Sequence, residues 1–179
     1  MQCGGHFGAD WGRAYTGGEF FCPARPVRGF GTEAAQGGAV VKVTSIAELG
    51  WCSNPDRARG VAARQGFPDP AAIVTEFGIP NGAGYKVSKE ILLVWTLMAA
   101  HKEQFKSRGI RVNAVSRGPV EMPILTRFSV VLGDARVDSD IARVGRAGTA
   151  ADIALVVLVL CSDAARWMNG GEYCGGWRT

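Results

Sequence analysis

Tyr85 and Lys89 stand four residues apart in "GYKVSKEILLVWTLMAA" (84–100), at the head of a long apolar run. A phenol is a poor base at neutral pH because its ordinary pKa is about 10. A neighbouring ammonium favours the phenolate and lowers that value. Residues i and i+4 of a helix share a face, so this spacing sets the cation where it can tune the phenol. Such a pair can exchange a proton with an oxygen. Alone, it reads equally as a tyrosine opening a helix and a lysine on its solvent face. A hydroxyl from a strand end would hold the reacting oxygen beside the pair. Ser45 closes the short apolar stretch "AVVKVTS". Open α/β sheets bind ligands at the carboxyl ends of their strands.

These residues need elements to position them. Residues 39–44 are short, apolar and β-branched after a glycine pair, which predicts a buried strand. Val87, Ile91, Val94, Trp95 and Met98 recur at helical spacing, so a helix is expected over 84–107 with Gly109 as its stop. "IRVNAV" (110–115) reads as a second strand, and "GGEYC" supplies a short third one. A helix is expected over 123–133, then an irregular polar stretch over 134–148. "TAADIALVVLVLCSDAA" reads as a buried helix, with Thr149 as N-cap and Asp152 completing a capping box. Strand, helix, strand, helix, strand predicts an α/β fold with a parallel sheet and right-handed crossovers. The connection over 46–84 carries Trp51, Phe67 and Phe77, four prolines and a candidate short helix at 69–77; its length predicts a lid or binding loop, or else a disordered segment. Ten of the first 38 residues are glycine, without strand or helix period, so 1–38 reads as an irregular segment ahead of 39–179.

Composition narrows the class. The chain has 179 residues, 47% hydrophobic and 20% charged, which suits one domain with a core. Its net charge of +4 is scattered, so a nucleic-acid partner is not expected. Five cysteines without a CxxC, and only two histidines, give no zinc-ligand pattern. Reduced thiols and the lack of an apolar leader point to the cytoplasm. The apolar window 153–161 is too short to span a bilayer, so no membrane partner is expected.

Four blocks in order, "VVKVTSIA", "GYKVSKEILLVW", "GIRVNAVSRGPVEMPIL" and "GTAADIALVVLVLCSDAARWMNGGEYCGGW", resemble the C-terminal half of a short-chain dehydrogenase/reductase. Within that family the similarity is greatest to the branch of 3α-hydroxysteroid and coniferyl-alcohol dehydrogenases, which also separates its serine and tyrosine by a long insertion. The resemblance implies a partial Rossmann-like sheet with flanking helices, its N-terminal βαβ units missing. It implies NAD or NADP as cofactor, a small apolar alcohol or ketone as substrate, and a homo-oligomer. It implies Tyr85 as general acid/base, Ser45 as the hydrogen-bond donor to the substrate oxygen, and Lys89 on the nicotinamide ribose. Gly118, Pro119 and Val120 would pack beside the nicotinamide, with Met122 in the same cofactor-binding loop.

The chain also departs from the family. The strand and TGxxxGxG turn that cradle a pyrophosphate have no counterpart before Ser45, which predicts weak dinucleotide binding. Arg117 stands where the family has a proline, Met122 where it has a threonine, and Cys174 where it has an aspartate. Two functions stay open: an NAD(P)-dependent alcohol dehydrogenase, or a truncated, non-catalytic remnant acting as an oligomerisation or interaction module.

Overall fold

Alternation of short β-branched runs with capped helices builds a three-layer α/β arrangement. The computed structural model describes residues 36–48, 50–64, 69–121 and 134–175. Among these, the strands are β1 (Ala39–Ser45), β2 (Arg111–Arg117) and β3 (Glu172–Gly175). The helices are α1 (Pro55–Ala62), α2 (Pro70–Glu76), α3 (Gly84–Ala99), α4 (Glu103–Lys106), α5 (Asp134–Val144) and α6 (Ala150–Cys161). The sheet has the order β1-β2-β3, all parallel, with Ala39 opposite Arg111 and Ser45 opposite Arg117. The serine strand therefore lies beside "IRVNAV" with the Tyr85 helix as crossover, as the sequence predicts.

Successive strand residues face opposite layers. Val40 and Val112 pack with Ala99, Phe105 and Ile110, which places α3 and α4 on one face. Val41 and Val115 pack with Leu160 and Ile153, which places α6 on the other. Both connections move the same way along the sheet but cross on opposite faces, so they have opposite hands. The expectation of two right-handed crossovers is thus corrected. Residues 118–171 intervene between β2 and β3, and a connection of that length is not held to the steric rule of a compact βαβ unit.

Three further expectations change. The helix expected over 84–107 stops at Ala99; Lys102 is extended, and α4 restarts beyond it. That bend lets Phe105 turn inward to full burial, edge-on to Trp95 at 6.3 Å. Gly109 then closes the turn at φ +63, in the left-handed region that favours glycine. The stretch 134–148, expected to be irregular, contains the helix α5. Its signal is Val137, Ile141 and Val144 at helical spacing, ended by Gly145 at φ +87. The helix expected over 123–133 lies outside the described residues. Finally, neither β1 nor α6 is buried throughout. Among the described residues β1 is an edge of the sheet with Val43 41% exposed, and α6 leaves Leu155, Leu158 and Val159 at 63%, 64% and 50%. α6 meets the sheet with one side only.

The connection after β1 is folded. Asn54 caps α1 through the Arg57 N–H with Pro55 in the first turn; Asp69 caps α2 through the Ala71 N–H with Pro70 in the first turn. Asn-Pro and Asp-Pro are the local signals, since proline at the first helical position gives up no needed donor. Where one short helix was expected, two form. Trp51 packs on Ala58, Ala62 and Val94, and Phe77 on the cluster of Val61, Ile73, Ile79 and Val87. These aromatics pin the connection to the domain; Phe67 lies outside the described residues. No helix among the described residues is long and apolar enough to cross a membrane.

Candidate active site

The carboxyl end of β1 meets the first turns of α3. Ser45 is the last residue of β1, 6% exposed, and its Oγ accepts the Ala47 N–H at 3.3 Å. Beneath it, the Thr44 and Ser116 hydroxyls bond each other at 2.7 Å and tie β1 to β2. Tyr85 lies in the first turn of α3 and is 7% exposed. Lys89 holds its Nζ 5.7 Å from the centroid of the Tyr85 ring and donates to the Val43 carbonyl at 3.5 Å. Its ammonium therefore bridges the tyrosine to the serine strand, two residues before Ser45. The helical spacing of Tyr85 and Lys89 has become a contact, and β1 supplies its anchor.

Gly118, Pro119 and Val120 follow β2 at the same edge of the sheet. The Gly118 N–H donates to the Gly175 carbonyl at 2.8 Å, and a Cβ on Gly118 would meet that oxygen at 3.3 Å. Glycine permits this approach because it carries no Cβ. Val120 is buried and bridges Gly148. The loop borders a cavity of about 470 Å³ whose walls also include Arg146, Asp152 and Cys174. Ser45, Tyr85 and Lys89 do not line it. The structure thus groups the predicted residues in two neighbourhoods along one edge. Met122 lies outside the described residues.

Arg146 and Asp152 were not expected to line a cavity. Arg146 donates to both carboxylate oxygens of Asp152, at 2.8 and 2.9 Å. That fork, with the Thr149 N–H and hydroxyl on the same carboxylate, holds the Asp152 pKa well below its ordinary range and raises that of Arg146. The capping-box pattern announced Asp152, and the box is formed; nothing local announced its partner.

Lys42 faces the α3 side of β1. Burial lowers its pKa to about 8, and its Nζ lies 5.9 Å from the Trp95 ring, with the Lys102 Nζ 5.8 Å from the same ring.

Similarity to known proteins falls on these elements. The family model described as enoyl-(acyl carrier protein) reductase matches residues 71–174. The coniferyl-alcohol dehydrogenase of a Pseudomonas species is 31% identical over 134 residues, covering 75% of this chain and 52% of its own length. The cyclohexanol dehydrogenase of an Acinetobacter species is 27% identical over 143 residues, covering 78% and 42%. The chain thus spans about half the length of these relatives. In fold it is similar to the 3-alpha-hydroxysteroid dehydrogenase of Pseudomonas sp. complexed with NADH, with a TM-score of 0.70 at 22% identity over 88% of this chain and 63% of that one. With the family model over more than half its length and the strand–helix–strand frame around Ser45 and Tyr85 in place, this chain belongs to the short-chain dehydrogenase/reductase family.

Proposed function

We propose that this chain forms the catalytic part of an NAD(P)-dependent oxidoreductase that interconverts a small apolar alcohol and its carbonyl compound. The observation that carries this reading is the Lys89 ammonium held between the Tyr85 ring and the Val43 carbonyl. A cation there stabilises the phenolate, so Tyr85 takes the proton of an alcohol in oxidation and returns one in reduction. Ser45 donates a hydrogen bond to the same oxygen and holds it beside the phenol. Low exposure of Ser45 and Tyr85 keeps bulk water from competing for that oxygen.

The residues at the sheet edge fit the nicotinamide end of the cofactor. Lys89 would hold the ribose. Gly118, whose missing Cβ allows the backbone to come close, would border the ring with Pro119 and Val120, next to the cavity. The bound dinucleotide supplies or accepts the hydride. Among the described residues no glycine-rich turn joins a strand to a helix. Alcohol substrates of the kind named for the relatives, coniferyl alcohol and cyclohexanol, suit this reading. Assembly as a homo-oligomer belongs to it too, supported by the exposed Leu155, Leu158 and Val159.

Calorimetric titration with NADH and NADPH, followed by turnover assays on aromatic and alicyclic alcohols, tests the proposal. Tyr85→Phe is expected to abolish turnover with an unchanged melting temperature, because the ring and its packing remain. Lys89→Ala is expected to weaken both cofactor binding and turnover. A wild-type protein that binds neither dinucleotide overturns the proposal and leaves the non-catalytic module standing.

A further inference from the structure

Glu90 is the only charged side chain among the described residues that is fully buried, at 0% exposure. It follows Lys89 directly and stands at the head of the apolar run Ile91, Leu92, Leu93 and Val94 of α3. Its Oε2 accepts from Arg57 Nη2 at 2.6 Å. Its Oε1 has no hydrogen-bond donor, with the Lys86 Nζ 3.8 Å away, and the Arg57 Nε is likewise buried without an acceptor. A buried pair with two unsatisfied atoms is a poor way to gain stability, since apolar residues of like volume commonly do as well. Each such orphan in a folded protein calls for a physical reason.

The reason lies in what the pair connects. Arg57 belongs to α1, whose N-cap Asn54 ends a short strap, Gly50–Asn54, leading out of the serine strand. Gly50 rests on the ion pair itself: a Cβ there would sit 2.9 Å from the Lys86 Nζ and 3.9 Å from the Glu90 Oε1. Gly50, at one end of the strap, and Arg57, three residues past the other, therefore both come to one carboxylate. The apolar contacts between α1 and α3, through Ala58, Ala62 and Val94, are non-directional and do not fix where α1 stands along the helix. A charge-assisted guanidinium–carboxylate bond does.

We propose that Glu90 is a positioning residue for the site: gripped by Arg57, it fixes the strap Gly50–Asn54 on α3 and so sets Ser45 against the Tyr85–Lys89 turn. The consequence for catalysis rests on the function proposed above; the anchoring of the strap does not. Hydrogen exchange on the full chain without cofactor reads the anchoring directly. In Arg57→Met and in Glu90→Gln, amides of residues 50–57 are expected to exchange at least about tenfold faster, while residues 91–99 and 111–116 keep their rates. The double variant Arg57→Met/Glu90→Leu removes the unpaired charge, so it carries the test even where a single variant does not fold. Its strap is expected to exchange as fast as in the single variants. Unchanged strap exchange, or one common acceleration in every segment, overturns the proposal, because the pair would then be only a general stabiliser. Strap protection regained in the double variant overturns it equally. In turnover assays the double variant is expected to lose kcat with the KM for the cofactor unchanged; a wild type without turnover counts against the proposed activity and leaves the exchange result standing.

Discussion

The two crossover helices are both apolar, yet one is enclosed and the other is bare along one side. α3 lies between the sheet and α1, and nine of its residues, from Tyr85 to Ala99, are buried. α6 lies on the opposite face, and only Leu160 of its residues is buried. Apolarity alone did not decide which helix would be enclosed. The insertion after Ser45 did, because its two capped helices fold back onto the side of the sheet that carries Tyr85. A covered helix can hold a phenol, an ammonium and a buried carboxylate in fixed relation. A bare helix offers only surface, and its outward Leu155, Leu158 and Val159 form an apolar patch of the kind that marks an association site.

The sharpest way to break this comparison is to truncate both helices. Leu93→Ala, at a position with 0% exposure in α3, is expected to cost about 3 kcal/mol from the lost burial and the cavity left behind. Leu158→Ala on α6 should then cost a small fraction of that. Equal losses in urea unfolding would show that the bare face is covered in solution as tightly as the enclosed one.

A smaller effect sharpens the contrast on the covered face. Burial lowers the Lys42 pKa from 10.5 to about 8. Between those values the unfolded chain binds more protons than the folded one, so stability rises with pH across that window. Below about pH 8 the cost of burying the ammonium is present in full, on the order of 2 kcal/mol after allowance for partial exposure. Lys42→Met is expected to abolish the rise and to be more stable than the wild type at pH 7. Urea midpoints of both proteins between pH 7 and 10.5 measure the difference; parallel curves would show that Lys42 ionises freely.

The smallest change in stability is expected at the bare face. Leu158→Gln should alter unfolding by less than about 0.5 kcal/mol, as surface substitutions do. Its effect should appear in assembly, as a shift to a later elution volume in gel filtration. Unchanged elution would show that α6 does not mediate association.

Local sequence reading reached the elements whose signals are local. "AVVKVTS", "IRVNAV" and "GGEYC" became parallel strands because short apolar β-branched runs bury well in a sheet. Thr149 and Asp152 formed the capping box because both halves of that signal lie within one turn. Tyr85 and Lys89 met because helical spacing brings i and i+4 together. Reading failed at α1 and α5, where polar residues and a weak period hid helices that their proline and glycine boundaries mark.

What depended on distant parts of the chain was not legible. The sequence determined that Glu90 would sit in an apolar helix, but only the fold set Arg57, 33 residues away, against it. It determined the Asp152 cap, while tertiary packing made Asp152 and Arg146 a wall of the cavity beside Gly118. It determined that Ser45 ends a strand, and the parallel register with β2 put it opposite Arg117. The physical reason is the same in each case. Hydrogen-bond periodicity and capping act within a few residues, whereas burial, desolvation and ion pairing depend on which surfaces the whole chain brings together.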